Sequence, residues 1–162
     1  QGDQGKLRDP HDHNRDYTDE PLYPTVRGMQ ALIRDLATRG LVMSVDFHCP
    51  WIRNGNNETV FFVEPCEPYA TEMHAFGALL KKADTGGVIY TGEFDQKHGH
   101  GWNAGTNPTF GKFARENGGE ALRTQFTLEY SYSVTEGEPA TPDNSRVFGR
   151  GFARALGQYL GG

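Results

Sequence analysis

Three short stretches carry side chains suited to chemistry on carboxylates and amides. The first is Asp12-His13-Asn14-Arg15-Asp16-Tyr17, which crowds charged groups into a loop with no apolar face to bury. The guanidinium of Arg15 is a planar fork that matches a carboxylate, and the neighbouring Asn14 amide adds a neutral donor, so the pair makes a sensible clamp for a free carboxylate. A solvated charged turn has the same composition. The second stretch is Asp46-Phe47-His48, with two residues that share one side of a strand. Asp46 can there support or orient a metal-bound His48 imidazole. Catalytic zinc needs three protein ligands and an open position, and a buried structural histidine fits His48 taken alone. The third is Phe126-Thr127-Leu128-Glu129-Tyr130. Alternation puts Thr127 and Glu129 on the face opposite Phe126 and Leu128, where partial desolvation raises a carboxyl pKa toward the range of a general base. An edge-strand glutamate facing water is the alternative.

Two other groupings are weaker. His98-Gly99-His100 has a real ligand spacing but sits in a glycine-rich loop without a third candidate ligand nearby. Cys49 adjoins His48, yet adjacent strand residues point to opposite faces, which separates nucleophile from base. A small buried hydrophobe suits Cys49 better.

The elements that must hold these residues read as a single α/β domain spanning 1–162. A chain of this length, 162 residues, buries about two thirds of the surface its unfolded form exposes. Pro24 suits a first helical turn. Val26, Met29, Leu32, Ile33 and Leu36 recur at helical spacing before Gly40 as a cap, predicting a helix that covers one sheet face. Leu41 to Phe47 reads as a buried strand that delivers His48 to its C-terminal end, where open α/β sheets place ligands. Further strands are expected over 59–63 and 122–130, with a possible short one over 88–91, and further helices over 69–82 and 147–160. The stretch 92–111, rich in glycine, reads as a long functional or mobile loop. A net charge of -5 with interspersed signs gives no basic stripe, which argues against nucleic acid as a partner. No apolar run approaches the roughly 20 residues of a membrane span. The two cysteines, Cys49 and Cys66, make neither a disulfide framework nor a zinc knuckle. Compartment stays open.

The order Asn14-Arg15 in a loop, Asp46-x-His48 ending a strand and Thr127-x-Glu129 on a later strand resembles the zinc carboxypeptidase family, colinearly across the chain. Pro10 to Tyr17 and Asp46 to Trp51 look most like a bacterial-type branch. The resemblance implies a three-layer α/β/α sandwich around a mixed, mostly parallel sheet with its N-terminal part missing. It also implies a peptide or small-molecule substrate bearing a free carboxylate, and zinc as cofactor. By the same resemblance Asn14 and Arg15 grip the substrate carboxylate, His48 is a zinc ligand and Glu129 is the general base. An additional substrate-side arginine falls near Arg8, with Lys6 competing for the role.

Two features depart from the family pattern. None of the six histidines has Glu three residues later, so the His-x-x-Glu zinc pair is expected before Gln1. No tyrosine lies between Gly92 and Leu128, where the family's mobile tyrosine is expected, and Trp102 or His100 are the candidates for its space. The expectation for these residues alone is poor zinc binding and no appreciable hydrolysis. An amidohydrolase of related fold acting on N-acyl amino acids, and a non-catalytic binding module, are the competing readings.

Overall fold

The computed structural model describes residues 8–51, 56–83, 85–135 and 137–161. Helix α1, Pro24–Thr38, starts on its proline as expected and stops before Gly40, whose φ of 82° suits a residue without a Cβ. Val26 and Ile33 are buried on its inner face, as is Gln30, whose amide donates to the Thr18 carbonyl. Met29 and Leu32, also placed on that face by the spacing, are 38% and 45% exposed. The apolar stripe is narrower than its sequence period suggests, because one polar side chain takes a core position.

Strand β1, Met43–His48, and strand β3, Thr124–Glu129, run parallel, while β2, Phe61–Val63, pairs antiparallel with β3 on its other side. The result is an α/β fold with a small mixed sheet in the order β1-β3-β2. The strand expected over 88–91 is reduced to a single bridge from Tyr90 to Val60. β1 is less buried than its apolar run predicts, with Phe47 63% exposed. It lies at the end of the strand order, and Phe47 rests on Phe152 with ring centroids 5.1 Å apart.

Helix α2, Tyr69–Leu80, and helix α4, Pro142–Gly161, pack on each other. They meet Phe126 and Leu128 in the main core, which includes Phe62, Phe76, Tyr90 and Phe152. Phe76 is fully buried at the centre of an aromatic cluster, within 5.6 Å of the Phe126 ring and 5.0 Å of the Phe152 ring. A helix that periodicity does not reveal, α3, Phe110–Asn117, ends the glycine-rich stretch and packs on α1 through Ile33, Phe113 and Ala114. A hairpin of β4, Val134–Thr135, and β5, Glu138–Pro139, follows β3. No helix among the described residues is long and apolar enough to cross a membrane.

Candidate functional site

The N-terminal loop is built, not merely solvated. Asp12 accepts from the Asn14 N–H at 2.9 Å and opens a short 3-10 turn over His13–Arg15. Asp16 is buried, and its carboxylate accepts from the backbone N–H groups of Leu22 at 3.0 Å and Tyr23 at 2.8 Å, with the His11 ring at 2.8 Å. Burial pushes the Asp16 carboxyl up, but those hydrogen bonds outweigh it and hold the group below its ordinary value. Tyr17 leans on Phe110 and Phe113 and has its phenol pushed up to about 12, by burial first and then by Asp46 and Asp16.

This anchoring decides how Asn14 is presented. Its Oδ1 accepts from the Phe110 backbone N–H at 2.8 Å, at the first turn of α3. A backbone N–H needs an acceptor, so the amide orientation is fixed and Nδ2 is left as the donor. Arg15 is half-buried, with Nη1 donating to the Asn14 carbonyl at 2.9 Å.

The parallel register sets His48 directly beside Glu129, with Asp46 beside Thr127. In paired strands such partners share a face, so Asp46, His48, Thr127 and Glu129 form one polar surface. His48 Nδ1 lies 3.5 Å from Asp46 Oδ2, at the outer limit of a hydrogen bond. Asp46 as hydrogen-bonding partner raises the imidazole pKa, burial opposes it, and the charges of Asp46, Glu129 and Asp12 add to the rise. Glu129 is buried, 8% exposed, so its carboxylate is desolvated as the strand alternation predicts.

Asn14, Arg15, His48 and Glu129 all line one cleft of about 450 Å³. Trp102 lines it as well, whereas His100 is not among its lining residues. Arg8 is exposed, stands 5.7 Å over the Tyr23 ring, and is likewise not a lining residue. Lys6 lies outside the described residues. Cys49, expected as a small buried hydrophobe, is exposed at the border of the cleft, and partial desolvation and Glu129 push its thiol up, the wrong direction for a nucleophile.

Among the lining residues that sequence reasoning missed are Tyr132, Arg115 and Gln125. Tyr132 lies just past Glu129, half exposed, its phenol raised by burial and by Cys49 and Glu129. It lies after Glu129, outside the stretch 92–128 where the resemblance places a site tyrosine. Arg115 on α3 and Gln125 on β3 also line the cleft and are bonded to each other, Nη1 to Oε1, at 2.5 Å. The strand alternation that marks Thr127 and Glu129 would have included Gln125. No sequence signal singled out Arg115, because its helix was not recognised.

As for a metal, His48 with a carboxylate behind it is suited to be one ligand. Among the described residues there is no group of three His, Cys, Asp or Glu placed to hold an ion. The set of three that catalytic zinc requires is therefore not met by these residues. Comparison with protein-family models, with curated proteins and with solved structures returned no match.

Proposed function

We propose that this chain is part of a zinc carboxypeptidase-like hydrolase acting on the bond next to a free terminal carboxylate. In this reading the fold is a three-layer α/β/α sandwich on a mostly parallel sheet. One observation carries the reading. Asn14, Arg15, His48 and Glu129, drawn from three separate stretches of the sequence, line a single cleft, so that a candidate carboxylate clamp and a candidate general base share it.

The division of labour follows from the groups themselves. Arg15 pairs with the substrate carboxylate while Asn14 Nδ2 donates to it, which fixes the substrate terminus. Glu129, kept from bulk water, accepts a proton from the attacking water at its carboxylate and returns it to the leaving nitrogen. Asp46 orients the His48 ring, whose Nε2 is the atom available to a cation. Zinc, when bound, supplies Lewis-acid polarisation of the scissile carbonyl. Since these 162 residues contain no His-x-x-Glu, the ligands beside His48 would come from outside this sequence.

The test compares peptides with free and amidated C termini, and N-acyl amino acids, as substrates of the protein in its full natural length. Hydrolysis confined to free C termini and reduced by Arg15→Ala is the expected result. Equal rates on free and amidated peptides would remove the exopeptidase reading, and preference for N-acyl amino acids would move it to an amidohydrolase.

A further inference from the structure

The cleft holds a second guanidinium that the clamp and the general base leave unexplained. Arg115 is half-buried on α3, and its only partner through the side chain among the described residues is the Gln125 amide oxygen. That bond uses one of five N–H donors. Neither Arg15 nor Arg115 forms an ion pair with a carboxylate of the described residues. Asp12 accepts from Asn14 and Glu64 meets His74 at 3.1 Å. Lys112, the other cation on the wall, stands 3.9 Å from Glu116. Partly burying a guanidinium without a counter-charge costs free energy, which an arriving anion offsets.

The position of this group is set by the sheet. Gln125, Thr127 and Glu129 alternate along one face of β3, so Gln125 lies two pleats below Glu129, roughly 13 Å along the strand. Gln125 is 1% exposed, and a Cβ on Gly111 would stand 2.8 Å from its Oε1, so α3 closes tightly against it. The Arg115 guanidinium is thus held on a rigid floor, away from the catalytic end of the strand.

We propose that Arg115, positioned by Gln125, is a second anion-binding group of this cleft, and that the site prefers a terminal residue with an acidic side chain. This rests on the carboxypeptidase-like reading of the same cleft and deepens it. The α-carboxylate occupies Asn14 and Arg15, and the side-chain carboxylate of a glutamate-type residue takes a two-point bond from Arg115. The neutral isostere glutamine leaves the guanidinium without its counter-charge.

The experiment is calorimetric titration of the 162-residue chain with N-acetyl-glutamate, N-acetyl-glutamine and N-acetyl-phenylalanine at low ionic strength. N-acetyl-glutamate is expected to bind about tenfold tighter than N-acetyl-glutamine. Arg115→Gln should bring that ratio to about one, and Arg115→Lys should keep part of the preference. Equal wild-type affinities for the acidic and neutral ligands, with binding still dependent on Arg15, would overturn this proposal and leave the clamp standing. A preference unchanged in Arg115→Gln would also overturn it. Absence of binding by all three ligands, or binding indifferent to Arg15→Gln, would overturn the clamp and this proposal with it. Should Arg115→Gln fail to fold, the wild-type ratio and Arg115→Lys decide the matter.

Discussion

Asn14 Oδ1 accepts a hydrogen bond from the backbone N–H of Phe110, 96 residues later in the chain, at 2.8 Å. One amide therefore does two jobs, tying the N-terminal loop to α3 with its oxygen and facing the cleft as a donor with its nitrogen. Substitution can separate them. Asn14→Asp keeps an acceptor for Phe110 and puts a negative charge at a helix N-terminus, so its urea midpoint should match or exceed the wild type. Its affinity for N-acetyl amino acids should fall about tenfold or more, because a carboxylate now faces a carboxylate. Asn14→Ala should lose both, with about 1–2 kcal/mol of stability removed by the unsatisfied N–H.

A second prediction concerns acid. Asp16 has its carboxyl held below the ordinary 3.8, since hydrogen bonds from Tyr23, Leu22 and His11 outweigh the upward push of burial. A depressed folded pKa gives stability that is complete above the unfolded value and is lost as pH falls through the lower folded one. The loss belongs below about pH 4. Asp16→Asn should cost about 2 kcal/mol near neutrality, because one amide oxygen replaces two carboxylate acceptors. It should also flatten the acid limb of urea stability measured from pH 6 down to 2.5, a range chosen to bracket the ordinary carboxylate value. An unchanged acid limb would show that Asp16 is not the group responsible.

The third tests the general base. Glu129→Gln preserves shape at a buried position, so the thermal midpoint should shift little, while kcat of the full-length protein falls by about 10²–10⁴. Metal content measured on the same sample should be unaltered. A variant with wild-type kcat would assign Glu129 a packing role instead.

A fourth addresses the core. Phe76 is fully buried and touches the rings of Phe126, Phe152 and Tyr159 from within α2. Phe76→Ala should cost about 3–5 kcal/mol, and Phe76→Leu less, in urea unfolding followed by fluorescence. Since small domains hold about 5–15 kcal/mol in all, the alanine variant sits near the limit of folding.

How much of this was legible beforehand depended on whether local pattern or long-range contact decides each element. β1, β3, α1, α2 and most of α4 follow from apolar runs or apolar periodicity and from Pro24, signals that lie within each segment. The facing of Thr127 and Glu129 followed from strand alternation alone. α3 was hidden because its eight residues, Phe110–Asn117, bury only Gly111, Phe113 and Ala114, too few to show a period inside a glycine-rich stretch. Phe47 was misread as buried because edge or centre is a property of the assembled sheet. Pairing of Asn14 with Phe110, and of Arg115 with Gln125, is tertiary, so no local spacing announces it.

The last prediction joins that hidden helix to the floor of the cleft. A Cβ placed on Gly111 would lie 2.8 Å from Gln125 Oε1 and 3.0 Å from its Nε2. Gln125 is buried and its oxygen already accepts from Arg115, so it has little freedom to yield. Gly111→Ala must therefore push α3 outward or displace the amide. Overpacking of this kind costs about 1–3 kcal/mol, visible as a lower urea midpoint. The same displacement moves Arg115 off its support. The acidic-over-neutral ligand ratio should then shrink. A stable Gly111→Ala chain with full acidic preference would mean that Gln125 does not position Arg115.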